Sequence, residues 1–301
     1  MKFKKPKFWD YQKPNFISNL LLPLSKIFQI VSSFNLKKQT KFPEIKCICV
    51  GNIYLGGTGK TSLCIELKKI FNEANIKTCF IKKYYKNQVD EQIILKDNGK
   101  TFIDKNRISS IKKAISENYQ VAIFDDGLQD KSIFYDLIFT CFNQVNMIGN
   151  GRLIPAGPLR ETLNILKKNK NIFIIGNDKN NQTLKNILLN KIPDLNFYDC
   201  IYKPSNLKDF QINENYIIFS GIGNHETFME MLKKNKFRVL KDFEYPDHYK
   251  YLKKDMEKIY QIANEHRAKI LTTKKDYQRI PDEYKKNIQF IDIQLKIKQI
   301  D

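Results

Sequence analysis

Val50-Gly51-Asn52-Ile53-Tyr54-Leu55-Gly56-Gly57-Thr58-Gly59-Lys60-Thr61 follows an apolar, β-prone run at 45–50 and precedes a helix-type pattern at Leu63, Ile65, Leu67, Ile70 and Phe71. Strand, glycine loop and helix in that order form a phosphate cradle. The glycines let backbone N–H groups fold around an anion, and the helix N-terminus adds partial positive charge. In such a cradle Lys60 reaches the β- and γ-phosphates and the Thr61 hydroxyl binds Mg²⁺. The general eight-residue pattern has glycine at position 54, where this chain has Tyr54. A glycine-rich turn before an ordinary helix is the bland alternative. The strand before the loop weighs against it, as does a second strand further on.

That second strand is Val121-Ala122-Ile123-Phe124, which runs into Asp125-Asp126-Gly127-Leu128-Gln129. Four apolar residues ending in two aspartates make the acidic strand end that P-loop enzymes use to hold Mg²⁺, directly or through water. Another short strand, 78–81, leads through Lys82-Lys83-Tyr84-Tyr85 to Val89-Asp90-Glu91. Residues just past strand C-termini line the ligand crevice of a parallel α/β sheet. Asp90 is thereby a candidate catalytic carboxylate, against the alternative of a solvated loop acid. The loop at 149–161 carries Arg152 and Arg160, two of the few arginines in the chain, and either could clamp phosphate oxygens.

With 301 residues and 42% hydrophobic content the chain can bury a substantial core, enough for one large or two modest domains. Its 52 Lys plus Arg against 32 Asp plus Glu give a formal charge of +20, which suits an anionic partner or reflects lysines spread over a solvated surface. No RNP-like strand or helix-turn-helix accompanies the charge, so nucleic acid is not expected as a partner. Six cysteines lie mostly in apolar runs without CxxC spacing, and read as buried hydrophobes in a reducing compartment.

Residues 1–46 hold ten lysines and two acids, Asp10 and Glu44. Within them, Ile17, Leu20, Leu21, Leu24, Ile27, Phe28, Val31 and Phe34 share one helical face, with Ser18, Lys26 and Gln29 elsewhere. The segment is too short and polar to span a bilayer. Its lysine-rich flanks, with Phe8 and Trp9 as interfacial aromatics, predict a monotopic helix on an anionic leaflet, although a core-packing helix has the same periodicity. Pro23 is expected to start or kink the helical segment.

Taken in order, GNIYLGGTGKT, VDE, DDGLQ, GNGRLIPAGPLRE, FSGIGNHETF, YPDH and TTKKD resemble the motif series of the tetraacyldisaccharide 4′-kinases, the lipid A 4′-kinases. The resemblance covers about residues 9–276, and the family's P-loop also lacks the first glycine of the general pattern. It implies ATP- and Mg²⁺-dependent phosphorylation of the 4′-hydroxyl of a tetraacylated glucosamine disaccharide 1-phosphate, giving lipid IVA in lipopolysaccharide synthesis. The setting implied is the cytoplasmic face of the bacterial inner membrane, for a peripheral, monotopic monomer. It also implies two α/β/α lobes with the active site between them. Carried over residue by residue, Gly56, Gly57, Thr58, Gly59, Lys60 and Thr61 fall in the nucleotide cradle, and Asp125 and Asp126 beside Mg²⁺. Asp90 takes the place of the catalytic base and His248 that of the histidine paired with it. Gln129, Arg152, Arg160 and Glu161 fall in the distinctive motifs as substrate-side residues. Lys82-Lys83-Tyr84-Tyr85 departs from the family's SRGY, with Lys83 in the arginine's place, and Asp130 replaces a usual histidine or asparagine.

The C-terminal half alternates strands (171–175, 216–220, 270–273, 288–291) with helical patterns (184–189, 225 onward, 252–266), with Asn224 as an N-cap. The expected architecture is α/β: a P-loop NTPase-like parallel sheet flanked by helices, a second smaller α/β/α lobe and an N-terminal amphipathic helix. The expected divisions are 1–40 for the arm, 41–165 for the kinase lobe and 166–301 for the second lobe, which closes over the active site. A P-loop NTPase acting as a switch or chaperone without a lipid acceptor is the alternative function; no NKxD guanine signature follows the DDG strand.

Overall fold

The computed structural model describes residues 5–34, 38–86, 89–176, 178–211, 213–222, 225–247 and 249–298. His248 and Asn224 lie outside the described residues, as do Lys2, Lys4 and Lys37 of the arm.

The strands are β1 (Lys46–Gly51), β2 (Thr78–Lys83), β3 (Thr101–Asp104), β4 (Val121–Asp125), β5 (Leu137–Asn143), β6 (Asn171–Ile175), β7 (Asn196–Pro204), β8 (Asn215–Ser220), β9 (Arg238–Glu244), β10 (Lys269–Thr273), β11 (Ile288–Ile291) and β12 (Ile293–Ile297). They make an eight-stranded sheet in the order β12-β7-β6-β5-β1-β4-β2-β3 and a four-stranded one in the order β11-β10-β8-β9. From β7 to β3 every pairing in the large sheet is parallel. β1 sits where the winding reverses, with β4, β2 and β3 on one side and β5, β6 and β7 on the other. Its residues past Lys46 are buried, as is all of β4, which is why both read as continuous apolar runs. Crossover helices α3 (Lys60–Glu73) and α5 (Arg107–Ser116) cover the sheet.

The chain divides into two compact units, residues 1–85, 95–201 and 297–301, and residues 86–94 and 202–296. The larger unit thus keeps β6 and most of β7, which the sequence expectation assigned to the second lobe, because these strands extend the P-loop sheet by parallel pairing. The smaller unit takes in the first part of α4 (Val89–Asp97), with α7 (His225–Lys234) and α8 (Lys253–Glu265). Within it, Ser220 Oγ, His225 Nδ1 and Nε2, and Asp242 Oδ2 form a hydrogen-bonded chain at 2.6 and 3.0 Å. Ser220 is fully buried at the end of β8, so the chain ties strand to helix and offers no exposed nucleophile.

The N-terminal arm forms α1 (Phe16–Leu20) and α2 (Leu22–Phe34), with Pro23 in the first turn of α2, where a missing N–H costs no helical hydrogen bond. One expectation is corrected here: Trp9 is not an interfacial aromatic, being 5% exposed with its indole N–H donating to Pro155 O at 3.0 Å. Ser18, off the apolar face as expected, is 0% exposed and donates to Ala156 O at 2.6 Å. Ser25 likewise donates to Leu153 O and accepts from Ala156 N. A serine-bearing face therefore docks on the 149–161 loop through that loop's own backbone groups. The apolar residues Phe16 (80%), Leu20 (69%), Leu24, Ile27, Ile30 and Val31 are left exposed. Gly157 belongs to this seat, since a Cβ there would lie 2.1 Å from Asn150 Oδ1.

Replacing Trp9 with alanine removes a buried indole, and a loss of about 3 kcal/mol in urea unfolding of the full chain is expected. Burial raises the thiols of Cys47, Cys79 and Cys200 to about 12 and those of Cys49, Cys64 and Cys141 well above their usual range. These thiols should stay unreactive to Ellman's reagent at about pH 8 until the chain unfolds. Their folded-state values are raised, so the unfolded chain ionises first and stability falls as pH rises past the usual thiol value of 9.0. Urea melts at graded pH check that sign.

Candidate active site

The glycine loop leads into a helix that has no side-chain cap. α3 starts at Lys60 behind Gly59, which sits at φ +78°, offers no side-chain cap, and is followed by a first turn free of acidic residues. An uncapped, acid-free helix N-terminus is where an anion is best received. Tyr54 fits because the left-handed positions of the loop are Gly56 and Gly59, not residue 54. The Tyr54 ring is buried in the core, and its hydroxyl donates to Asp10 and accepts from Lys5 Nζ at 2.9 Å. Burial, then the Asp10 carboxylate, pushes that phenol far above its usual range. The residue that breaks the general pattern is thus the one that ties the arm to the loop.

Asn52 holds the loop's shape from inside. Fully buried, it donates to Tyr54 O at 2.7 Å and to Thr58 Oγ1 at 2.7 Å, and its side-chain oxygen accepts from Arg160. Gln129 donates to Asn52 O at 3.1 Å, so it braces the same residue.

Register brings the acidic pair beside this loop: Val50 on β1 is opposite Asp125 on β4. Thr61 Oγ1 donates to Asp125 Oδ2 at 3.1 Å. Asp126 lies 3.7 Å from Lys60 Nζ and 2.8 Å from Arg160 Nη2. Burial works to raise the Asp126 carboxyl, but Lys60 and Arg160 outweigh it and hold the group well below the usual carboxylate range. Lys82, opposite Asp125 on β2, places Nζ 2.7 Å from Asp125 Oδ2, whereas Lys83 lies over the Tyr85 ring. The cation that enters the cluster is therefore Lys82, which the sequence reading passed over. Of the two loop arginines, Arg160 joins the cluster, while Arg152 points to Ser18 Oγ at 3.5 Å. Glu161 is 3.9 Å from Lys131. Asp130 is explained by Arg107, a buried arginine that bridges its carboxylate at 3.0 Å to Asp126 O at 2.7 Å.

Asp125 Oδ1 is buried with no hydrogen-bond partner among the described residues. A bare carboxylate oxygen beside a threonine hydroxyl fits Mg²⁺, which takes hard oxygen ligands and completes its shell with waters and phosphates. Among the described residues no group of three His, Cys, Asp or Glu could hold a metal.

Asp90 lies in the first turn of α4, in the smaller unit, and is buried. Its Oδ2 accepts from Arg279 Nη2 and lies 3.6 Å from Lys275 Nζ, while Lys275 also reaches Glu91 at 3.1 Å. Both cations come from the end of the TTKKD segment, at and just beyond α9 (Lys274–Tyr277). Arg279 is itself held by Gly221 O at 2.7 Å and Asp276 Oδ1 at 3.2 Å. Asp276, wholly buried, accepts from Tyr251 Oη, Gly221 N and Thr273 Oγ1. Burial raises its carboxyl in spite of Arg279. Arg279 gave no signal in the sequence, because only the fold brings it to a residue 189 positions away.

The family model for LpxK, tetraacyldisaccharide-1-P 4′-kinase, matches residues 17–301. The chain is 50% identical over 297 residues to the tetraacyldisaccharide 4′-kinase of Pelagibacter ubique, covering 99% of this chain and 95% of that one. It is 35% identical over 321 residues to the enzyme of the same name from Rickettsia felis, covering 100% and 95%. The solved structure of LpxK from Aquifex aeolicus in complex with ATP superposes with a TM-score of 0.69 at 21% identity, over 94% of this chain and 96% of that one, which establishes a shared fold. The chain belongs to the tetraacyldisaccharide-1-P 4′-kinase family.

Proposed function

We propose that this protein transfers the γ-phosphoryl group of ATP to the 4′-hydroxyl of tetraacyldisaccharide 1-phosphate, giving lipid IVA. The observation that carries the reading is the convergence of Lys60, Thr61, Asp125, Asp126 and Arg160 on an uncapped helix N-terminus in a chain that matches the family along its length. Phosphoryl transfer needs positioning and charge neutralisation more than covalent chemistry from the protein. Gly56, Gly57, Thr58 and Gly59 wrap the phosphates, and Lys60 leaves Asp126 to meet the transferring group. Arg160 keeps Asp126 ionised meanwhile. Thr61 and Asp125 would hold Mg²⁺, which supplies neutralisation of the phosphate oxygens when bound.

Asp90 is the proposed acceptor of the hydroxyl proton, with His248 its partner. The grip of Arg279 and Lys275 keeps the Asp90 carboxylate aimed. Asp90→Asn is expected to lower kcat by about 10²- to 10⁴-fold with ATP binding retained, and His248→Ala to slow turnover less. Labelled γ-phosphate transfer to tetraacyldisaccharide 1-phosphate in detergent micelles measures both. Wild-type ATP hydrolysis without transfer would favour the switch or chaperone alternative, and near-normal transfer by Asp90→Asn would remove Asp90 from the base role.

The acceptor's acyl chains require the enzyme to work at a membrane surface. No helix among the described residues is long and apolar enough to cross one. The exposed apolar face of α1 and α2 is the proposed seat on the anionic cytoplasmic leaflet. Leu20→Asp with Ile27→Asp alters side chains that face outward and leaves the Trp9, Ser18 and Ser25 contacts intact. Partitioning onto anionic vesicles should fall by more than about tenfold, with the melting temperature unchanged. Unaltered sedimentation with the vesicles would refute this docking.

A further inference from the structure

Lys82, near the end of β2, is 1% exposed, and its ammonium lies 2.7 Å from Oδ2 of Asp125, itself 0% exposed. Parallel pairing of β2 with β4 sets the two residues directly opposite each other, so the contact is built into the sheet. The same oxygen accepts from Thr61 Oγ1 at 3.1 Å, while Oδ1 has no partner among the described residues. The carboxylate is therefore divided: one oxygen is saturated by a protein cation and a hydroxyl, and the other is bare. Neither a buried ammonium nor a buried carboxylate is tolerated alone, and each supplies the other's counter-charge. Asp126 is paired with Lys60 and Arg160, with Lys82 a lesser and more distant influence, whereas the Lys82 ammonium is in direct contact with Asp125.

A divalent ion that ligates Asp125 meets an ammonium already bound to the same group. Two cations a few ångströms apart in a site shielded from water repel strongly. We propose that Lys82 is a built-in counter-cation of the metal-bearing carboxylate, which holds Asp125 in position before the metal arrives and weakens the site's affinity for the divalent ion by competing for that charge. The proposal rests on the reading of Thr61 and Asp125 as metal ligands. It makes Lys82 a positioning residue that acts on the metal site through Asp125.

The test is Mn²⁺ binding to the full chain by electron paramagnetic resonance, with a non-hydrolysable ATP analogue present. Lys82→Met keeps most of the side chain's apolar stem and removes its charge, and should tighten Mn²⁺ binding by at least about tenfold. Lys82→Arg keeps the charge and should stay within about threefold of wild type on the same electrostatic ground. Binding by Lys82→Met that is unchanged or weaker overturns the proposal. Without metal, Lys82→Met should melt several degrees below wild type, and Mn²⁺ with the analogue should close that gap by supplying the missing counter-charge. A gap of the same size with and without metal assigns Lys82 to structure alone and also overturns the proposal. If Lys82→Met does not fold, Lys82→Gln retains a donor to Asp125 without the charge, and the same outcomes apply. Asp125→Asn separates the two readings. If it keeps wild-type Mn²⁺ binding, the metal assignment fails and this proposal with it. If it loses binding while Lys82→Met is unchanged, this proposal fails alone.

Discussion

The parallel register that sets Val50 opposite Asp125, and Asp125 opposite Lys82, is the constraint on which the nucleotide half of the molecule depends. It joins three strand ends of separate origin in the chain into one charged cluster beside the glycine loop. Slipping β2 against β4 by one residue would turn Lys82 and Asp125 to opposite faces of the sheet, and slipping β4 against β1 would turn Asp125 away from the glycine loop. The cluster would then lose its buried cation or its carboxylate. β1 and β4 are apolar on both faces and would stay dry after a slip, so what penalises a slip of β2 against β4 is the buried Lys82–Asp125 pair, which no other register keeps together.

Much of this was legible in the sequence, because the signals were local. Strand, glycine loop and helix occupy consecutive residues, and so does the run that ends in Asp125 and Asp126. Central strands are apolar for the same reason that they are central. β3, β7, β9 and β12 went unread: β3 and β12 are short strands at the two edges of the large sheet, β7 lies beside β12 and is only partly buried, and β9, Arg-Val-Leu-Lys-Asp-Phe-Glu, is an edge strand too polar to stand out from loop. The site was legible where a motif carries it and illegible where register or packing does. Lys82 reads as one more lysine in a chain with 52 Lys plus Arg, and only its place opposite Asp125 separates it from the solvated ones. Arg279 and Asp276 are comparable, since what distinguishes them is a hydrogen-bond network drawn from Gly221, Tyr251 and Thr273.

The N-terminal arm shows why periodicity alone could not choose between a core helix and a surface helix. Both predict one apolar stripe, and they differ in which stripe meets the protein. Here the serines face inward, where Ser18 and Ser25 meet backbone groups at Ala156 and Leu153, and the leucines and isoleucines face outward. A core-packing helix would reverse that arrangement, because apolar burial is what holds such a helix in place. Docking through hydroxyls and backbone carbonyls instead leaves the apolar stripe available to another phase. Trp9 supplies the apolar anchor that the helices do not.

Two charged clusters, one in each compact unit, solve a shared problem differently. Around Asp126 the cations come from Lys60, paired there with this one carboxylate, and from Arg160, which Asn52 also holds through its backbone and side-chain oxygens. Around Asp90 they come from Lys275 and Arg279, of which Arg279 is fastened by Asp276 and a backbone carbonyl. A cation with a single carboxylate partner can be drawn to an incoming anion, whereas one fixed by several acceptors keeps its carboxylate oriented instead. Lys60 has the first arrangement, which suits its proposed part in following a moving phosphoryl charge. The second suits a carboxylate whose direction has to be set before the acceptor hydroxyl arrives.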